Sequence, residues 1–576
     1  MPSPSLSEYL FTFGMLVAFL GLIIGAVMDR KNIKRVLKER GFGRRNLAFV
    51  ILIALLFVLL ESFVVKPTQL LFFDDAIYQA MGQSLLHTGQ AWMCDYGTPY
   101  ACYIGEIFHE PIGESFNLAI GYGILGVNLG ATYGVGLALG LIAVLAIFFV
   151  ALLLLNDMKA AYFAELLLAL SPVLIVWSMP TNSDVASLAY SLIAMLFLLI
   201  FVNKKNLLSL SNMFLSTALV LYMKVNGVLY LFIFLIIYLL LDDKNPFASI
   251  KNNLKMIEKN LLNTEVLVVL LLFVIAVSPA IIYSYTELKT GDYGYRGTTI
   301  QNTCTNKPIT AMDSINIQNF NANLCGNIAF WFNQYKDQYI MQPIIFSALA
   351  ILGTFLLLMQ KRMELLAILV WFVAFFLLYT AFYAGSVLYG VDWRFMLSLV
   401  AQTSIAGGFA LSIILQKGES FLDKRLGRGR SAKKVVNTAL SVILVVVVLY
   451  PTYTLLPQFS IDPSKIQQAA DARFYEGFVY NNSRYIPNSC LVFSYDPTLF
   501  NINNKTSTQL ANLYNITFYN MEKVRYSCFV MDYGYWCHTP NNICAYANKT
   551  YNLTPIVTAT FEQFNYNYGF YLLNKK

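Results

Sequence analysis

ATYGVGLALGLIAVLAIFFVALLLL, residues 131–155, contains no Asp, Glu, Lys or Arg. About 20 apolar residues suffice for a helix to cross the hydrocarbon of a bilayer, where every backbone polar group must be satisfied inside the helix. The stretch therefore reads as a membrane span, and similar runs recur through Leu456. The whole 576-residue chain shares the bias, with 57% hydrophobic residues, 12% charged residues and a mean hydropathy of +0.57. Soluble domains carry about 25% charged residues, so most of this surface faces lipid. Twelve spans fit the pattern: 9–28, 47–65, 131–155, 160–178, 185–202, 207–222, 227–241, 266–286, 340–360, 364–383, 395–416 and 436–456. The first run is too long for a signal-peptide core and no basic segment precedes it, so it reads as a retained helix.

Charge orients these spans. Eight basic residues lie between Arg30 and Arg45, and seven between Lys417 and Lys434, each set between apolar runs. Such clusters mark the cytoplasmic side and suit anionic lipid head groups. An N-terminus outside then places Lys204, Lys205, Lys361 and Arg362 inside as well. The net charge of +8 is thus a topological signal. No basic, aromatic-interleaved face points to nucleic acid.

Cysteines and sequons agree with this orientation. Cys94, Cys102, Cys304, Cys325, Cys490, Cys528, Cys537 and Cys544 all fall in segments placed outside, where thiols oxidise to disulfides. Cys94 with Cys102 and Cys304 with Cys325 are the expected pairs in their loops, while the last four allow three pairings. Their spacing lacks the paired C-x-x-C units of a zinc site. The N-x-[ST] acceptors Asn481, Asn504, Asn515, Asn548 and Asn552 all follow the last span. The expectation is a mainly α, polytopic helix bundle over residues 1–456. A small extracytoplasmic α/β domain follows over 457–576, with strands near 490–496 and 528–534 and a helix over 508–514.

Two external loops, 66–130 and 287–338, are long enough to roof a cavity. The first holds two stretches suited to interfacial helices, 75–87 and 113–126. The glycines at 121, 123 and 126 match G-x-G-x-x-G, but no strand precedes them. Close helix packing accounts better for these and for Gly130, Gly134, Gly136 and Gly140.

Charged residues that could carry chemistry gather on the outer face. Asp74 and Asp75 follow a span directly, in Phe73-Asp-Asp-Ala-Ile-Tyr78. A carboxylate beside hydrocarbon is costly unless used, paired or solvated. There it could act as general base toward an acceptor hydroxyl. His109 and Glu110 lie later in the same loop, Asp184 at the outer end of a span, Lys224 at an outer turn, and Arg394 before another span. Lys and Arg suit a lipid phosphate, although snorkelling anchors would use the same positions. Asp74, Asp75 and Asp184 could bind Mg²⁺ or Mn²⁺ through oxygen, but in separate loops they do not define a site.

The stretch from Phe73 to Gly89 resembles the first external loop of GT-C glycosyltransferases. It is most similar to the protein O-mannosyltransferase and aminoarabinose-transferase branch, where an acidic pair opens a D-[DE]-x-x-Y-like run. His109-Glu-Pro-Ile112 resembles that branch's H/K-P-P-L step, with Glu110 replacing the first proline. Ser171-Pro172, Trp177-Ser178 and Asp184 match its second acidic region, and Arg394-Phe395 its late R-[YF]. The resemblance covers residues 47–420. It implies inverting transfer of a sugar from a dolichyl- or polyprenyl-phosphate donor to a protein, lipid or glycan acceptor at the outer face. In that scheme Asp74 is the catalytic base and Asp75 its acidic partner, with Asp184 the second acidic residue. Tyr78, His109, Glu110, Lys224 and Arg394 are substrate-binding. A glycosylated, disulfide-bearing tail on a plasma-membrane protein fits an archaeal or a eukaryotic secretory setting, the archaeal one being preferred.

Met531-Asp-Tyr-Gly-Tyr-Trp536 resembles the W-W-D-Y-G motif of oligosaccharyltransferases, but lacks its two tryptophans and lies beyond the last span. A strand end is the better account, with oligosaccharyltransferase a minor alternative. The main alternative is a transporter or lipid flippase. Transporters place ionisable groups at the bilayer midplane and often show internal repeats. Here only Glu61 and Glu165 lie within spans, and no repeat is evident.

Overall fold

The computed structural model describes residues 6–63, 73–106, 112–178, 182–224, 227–241, 251, 252, 255, 264–290, 299–301, 308–310, 343–360, 362–378, 396–426, 430–461, 467–537, 542–562 and 565–576. The membrane part opens with α1 (Leu6–Glu39) and α2 (Arg44–Phe63), then α3 (Phe73–Thr88) and α4 (Gly113–Leu125) from the first external loop. It continues through α5 (Leu129–Leu155), α6 (Met158–Ala169), α7 (Pro172–Ser178), α8 (Ser183–Lys204), α9 (Leu207–Met223) and α10 (Val228–Leu240). It ends with α11 (Thr264–Thr290), α12 (Ile344–Met359), α13 (Glu364–Leu377), α14 (Leu397–Leu426) and α15 (Arg430–Ile461). A helix stands at every expected span. Among the described residues six are long and apolar enough to cross a membrane, with several shorter apolar helices beside them.

Two details depart from the sequence-based picture. The span at 160–178 is broken, since α6 and α7 meet at 52°. Pro172 opens α7, and a proline has no N–H with which to continue the ladder of α6. The basic residues after 28 also extend α1 for several turns instead of forming a loop. That extension is tied down. The buried Asp29 accepts hydrogen bonds from Asn206 (2.7 Å), Ser209 (2.5 Å) and Asn32 (2.8 Å), and Lys204 pairs with Glu39 at 2.7 Å.

Glycines set the closest approaches. A Cβ on Gly136 would fall 1.9 Å from the Ser178 carbonyl oxygen, and one on Gly140 2.7 Å from the Ser178 hydroxyl. The pair lets the end of α7 lie directly on α5. Gly121 packs on Val135 in the same way. Gly126 does not pack: it stands past the end of α4 with φ +81°, a turn position that glycine adopts without strain.

The sheet domain is built on a seven-stranded sheet of order β2-β1-β6-β5-β7-β9-β8. Its strands are β1 (Met93–Thr98), β2 (Ala101–Glu106), β5 (Cys490–Ser494), β6 (Ser507–Gln509), β7 (Cys528–Tyr533), β8 (Tyr551–Phe561) and β9 (Tyr566–Lys575). A separate small hairpin pairs β3 (Thr299–Gln301) with β4 (Pro308–Thr310). β5 runs parallel to both β6 and β7, while the outer pairs are antiparallel. The helices are α16 (Gln467–Asn482), α17 (Pro497–Ile502), α18 (Ile516–Glu522) and α19 (Asn542–Thr550). Residues 508–514, expected to be helical, form the end of β6 and a 3-10 turn instead, and the helix follows at α18.

The sheet is not confined to the C-terminal segment: β1 and β2 come from the first external loop. Tyr96 pairs with Thr508 and Gly97 with Ser507. Disulfides Cys94–Cys102, Cys490–Cys528 and Cys537–Cys544 staple the hairpin, the parallel pair and the start of α19. Cys304 and Cys325 lie outside the described residues. All five sequon asparagines are exposed.

Candidate active site

The acidic pair opens α3. Asp74 stands in its first turn, with a side chain outside the described residues, while Asp75 and Tyr78 are buried. α3 packs along α4, where Gly82 lies against Leu118 and the Ser115 carbonyl. On its other side α3 meets α17 of the sheet domain, and Gln83 donates to the Ile502 carbonyl. The helix that carries the candidate base is therefore gripped between α4 and the sheet domain.

Asp184 and Lys224 come together as an ion pair, although 40 residues separate them in sequence. Asn182 caps α8, accepting from the Asp184 N–H at 3.0 Å and donating to the Trp177 carbonyl at 2.8 Å. The carboxylate of Asp184 thus sits in the first turn of α8, where the helix dipole favours negative charge. Lys224 caps the other end of the pair, at the C-terminus of α9. Both side chains are largely withdrawn from solvent.

The start of α4 closes on this pair. A Cβ at Gly113 would meet the Tyr222 carbonyl oxygen at 2.4 Å. Asn117 in turn donates to Met223 Sδ at 3.7 Å. The start of α4 thus lies against the last turn of α9, just before Lys224. His109, Glu110 and Arg394 themselves lie outside the described residues.

Behind Gly113 runs a buried polar chain that sequence reasoning did not identify. Tyr190 donates to Asn117 Oδ1 at 2.9 Å, and Asn117 donates to Glu114 Oε2 at 3.0 Å. The only sequence signal is a Glu and an Asn three apart in an apolar stretch. Elsewhere in the bundle, the fully buried Glu61 and Glu165 have no hydrogen-bond partner among the described residues.

No cluster of three or more His, Cys, Asp or Glu arranged to hold a metal ion occurs among the described residues. The aspartates considered as oxygen ligands differ in setting: Asp184 is committed to Lys224, and the side chain of Asp74 is not described.

Residues 109–283 match the family described as dolichyl-phosphate-mannose-protein mannosyltransferase. Among solved structures, apo ArnT from Cupriavidus metallidurans is 12% identical, with 91% of this chain aligned to 97% of that one at a TM-score of 0.52. The same protein bound to undecaprenyl phosphate gives 11% identity, 91% and 98% coverage, and a TM-score of 0.53. Archaeal oligosaccharyltransferase AglB from Archaeoglobus fulgidus, in complex with an inhibitory peptide and a dolichol-phosphate, gives 13%, 92% and 74%, and 0.47. No curated protein matches the chain in sequence. The chain has the GT-C fold, a bundle of apolar helices with a small sheet domain at its C-terminal end. It resembles the protein O-mannosyltransferase and ArnT branch of proteins with this fold.

Proposed function

We propose that this protein is an integral membrane glycosyltransferase that takes a sugar from a polyprenyl-phosphate donor and passes it to an acceptor hydroxyl at the extracytoplasmic face. The observation that carries this is the Asp184–Lys224 pair, held at the outer ends of α8 and α9 against the start of α4, within a GT-C frame. Lys224 offers an ammonium withdrawn from water, suited to a phosphodiester. A donor phosphate would compete with Asp184 for that ammonium, so donor binding and the charge of Asp184 are coupled. Arg394 supplies a second, bidentate cation. Tyr78, His109 and Glu110 are assigned to substrate binding on the family resemblance alone.

The reaction is a single displacement. Asp74 takes the proton of the acceptor hydroxyl, whose oxygen attacks the anomeric carbon. The bond from that carbon to the phosphate oxygen breaks, polyprenyl phosphate leaves with the electron pair, and the configuration inverts. The phosphate cations stabilise the charge that develops on the leaving group. Asp75, buried one residue on, holds the local field. Protein and glycan acceptors both present the hydroxyl this step needs.

Sugar transfer in liposomes tests the proposal, using radiolabelled polyprenyl-phosphate sugars with native lipids, glycans and peptides as acceptors. Wild type should transfer at least one sugar. Asp74→Asn should lose activity by about 10²–10⁴-fold, the usual range for removing a general base, while its melting temperature stays put. Undiminished transfer by the variant would remove Asp74 from the mechanism. Uptake of substrate into sealed liposomes with no transfer would replace the enzyme with a transporter.

A further inference from the structure

Asn117 of α4 stands where three helices meet. Its Oδ1 accepts from the hydroxyl of Tyr190 on α8 at 2.9 Å, and its Nδ2 donates to Glu114 Oε2 at 3.0 Å. The same nitrogen lies 3.7 Å from Met223 Sδ, in the last turn of α9. Asn117, Tyr190 and Glu114 are all buried. A carboxamide presents an acceptor and donors in one plane. One side chain therefore ties α4 to α8 through a hydroxyl and to its own first turn through a carboxylate, with its amide end against α9.

The two helices joined here are the two that carry the candidate ion pair. Asp184 opens α8, and Tyr190 follows it by six residues, about 9 Å along the axis at 1.5 Å per residue. Lys224 directly follows Met223 and caps α9. Its backbone is fixed, since its N–H donates to the Val220 carbonyl at 2.9 Å and its carbonyl accepts from the Gly227 N–H at 2.9 Å. The last turn of α9 is held from two sides. Tyr222 donates to the Ala276 carbonyl of α11 at 2.7 Å, and Gly113 of α4 lies against the Tyr222 carbonyl. Apolar contacts alone would hold these helices together yet let one slide along another. Directional hydrogen bonds fix the axial register, because a shift leaves a buried polar group unsatisfied.

Resting on the glycosyl-transfer proposal above, we infer that Glu114, Asn117 and Tyr190 are positioning residues for the Asp184–Lys224 pair. They set how the start of α8 stands against the end of α9, and so where the Lys224 ammonium waits for the lipid phosphate. A phosphodiester must displace Asp184 from that ammonium, and the exchange needs Lys224 within reach of both anions. A displacement of about 1 Å in such a site is enough to cost about 10²-fold in rate. Glu114 has a distinct part: by accepting from Nδ2 it fixes which way the amide faces, and so aims Oδ1 at Tyr190. None of the three touches the reacting atoms in this assignment. They act through Lys224.

Acylation of Lys224 by an amine-reactive ester, read by mass spectrometry on the full-length protein in nanodiscs, tests the assignment without turnover. Lys204, paired with Glu39 at the opposite end of α8, is the internal reference. Tyr190→Phe keeps the ring and removes one donor, Asn117→Leu removes both bonds, and Glu114→Ala removes the anchor. In these three the ratio of Lys224 to Lys204 labelling should rise several-fold, and affinity for bare polyprenyl phosphate should fall about tenfold. Glu114→Gln, which still offers Asn117 an acceptor, should restore both readouts toward wild type. A labelling ratio that stays at the wild-type value in all three, even where their melting temperatures fall, would leave the cluster a structural one and overturn the assignment. So would a Glu114→Gln variant as disturbed as Glu114→Ala, for Glu114 itself. Where Asn117→Leu does not fold, Tyr190→Phe, which deletes a single oxygen, carries the test. Failure of wild type to transfer any sugar would sink the parent proposal, whereas the Lys224 labelling is judged separately.

Discussion

Asp532 ends β7 with one carboxylate oxygen taken by the hydroxyls of Tyr475 and Ser494, at 2.5 and 2.7 Å. Its other oxygen has no partner among the described residues. Burial pushes its carboxyl up to about 7, and the neighbouring Asp496 up to about 6. In an unfolded chain both would titrate near 4. Between about pH 4 and 7 the folded protein therefore holds protons that the unfolded chain releases, so stability falls as pH rises through this window and levels off above it. The melting temperature of the sheet domain should decline from pH 5 to 8, and Asp532→Asn should flatten the decline. A wild-type curve that rises over that range would contradict the assignment. Asp184 and Lys224 make the other residue-scale test. Removing one partner of a buried pair costs about 3–5 kcal/mol, so Lys224→Met alone should destabilise more than Lys224→Met with Asp184→Asn, as read by thermal unfolding in nanodiscs. The sequence showed these residues as outer-face charges. It could not show that Asp184 and Lys224 pair, because that contact depends on where two helix ends meet.

At the scale of elements, length and hydropathy located the helices because each span must satisfy its own backbone. They could not show the break at Ser171, since a Ser-Pro step in an apolar run also fits a kinked continuous helix. The break has a use: it brings Ser178 onto Gly136 and Gly140, and the chain then turns through Asn182 to present Asp184. Gly136→Val would force side-chain atoms into a backbone carbonyl. Overpacking of this kind costs about 1–3 kcal/mol, and the variant should lose both thermal stability and transfer. Asn182→Ala should cost about 1 kcal/mol as a lost cap, with a larger effect on activity than on melting. Equal losses in both would deny the cap a role in aiming Asp184. Helices at 75–87 and 113–126 were legible, the first from its amphipathic composition and the second from an apolar run too short to cross a bilayer. Their polar partners Asn117 and Tyr190 were not, because a contact between α4 and α8 leaves no local pattern.

For the whole molecule, positive-inside charge, cysteine placement and sequon placement each pointed to one outer face and to a domain after the last span. The shared sheet escaped them. β1 and β2 are short, glycine- and cysteine-bearing segments inside a loop, and pairing across so long a separation has no signature in one sequence. Without β1, the flank of β6 would be an open edge, a template for association with other chains. A fragment of residues 467–576 expressed alone should therefore self-associate on size-exclusion chromatography, and supplying residues 93–106 as the oxidised hairpin should suppress this. A monomeric fragment would mean that the loop strands are dispensable to the domain.

The bond from Asn501 to the Cys94 carbonyl joins positions 407 residues apart. During synthesis the hairpin is made long before its partner strand exists. The segment bearing the acidic pair must wait, unpaired along one edge, until nearly the whole chain has crossed the ribosome. Loop closure over such distances is slow, and α3 gains its support from α17 only afterwards. On the proposed function, a nascent chain that holds the helices of the bundle would transfer no sugar until its last domain docks, so truncated products of failed translation would leave lipid-linked sugar untouched.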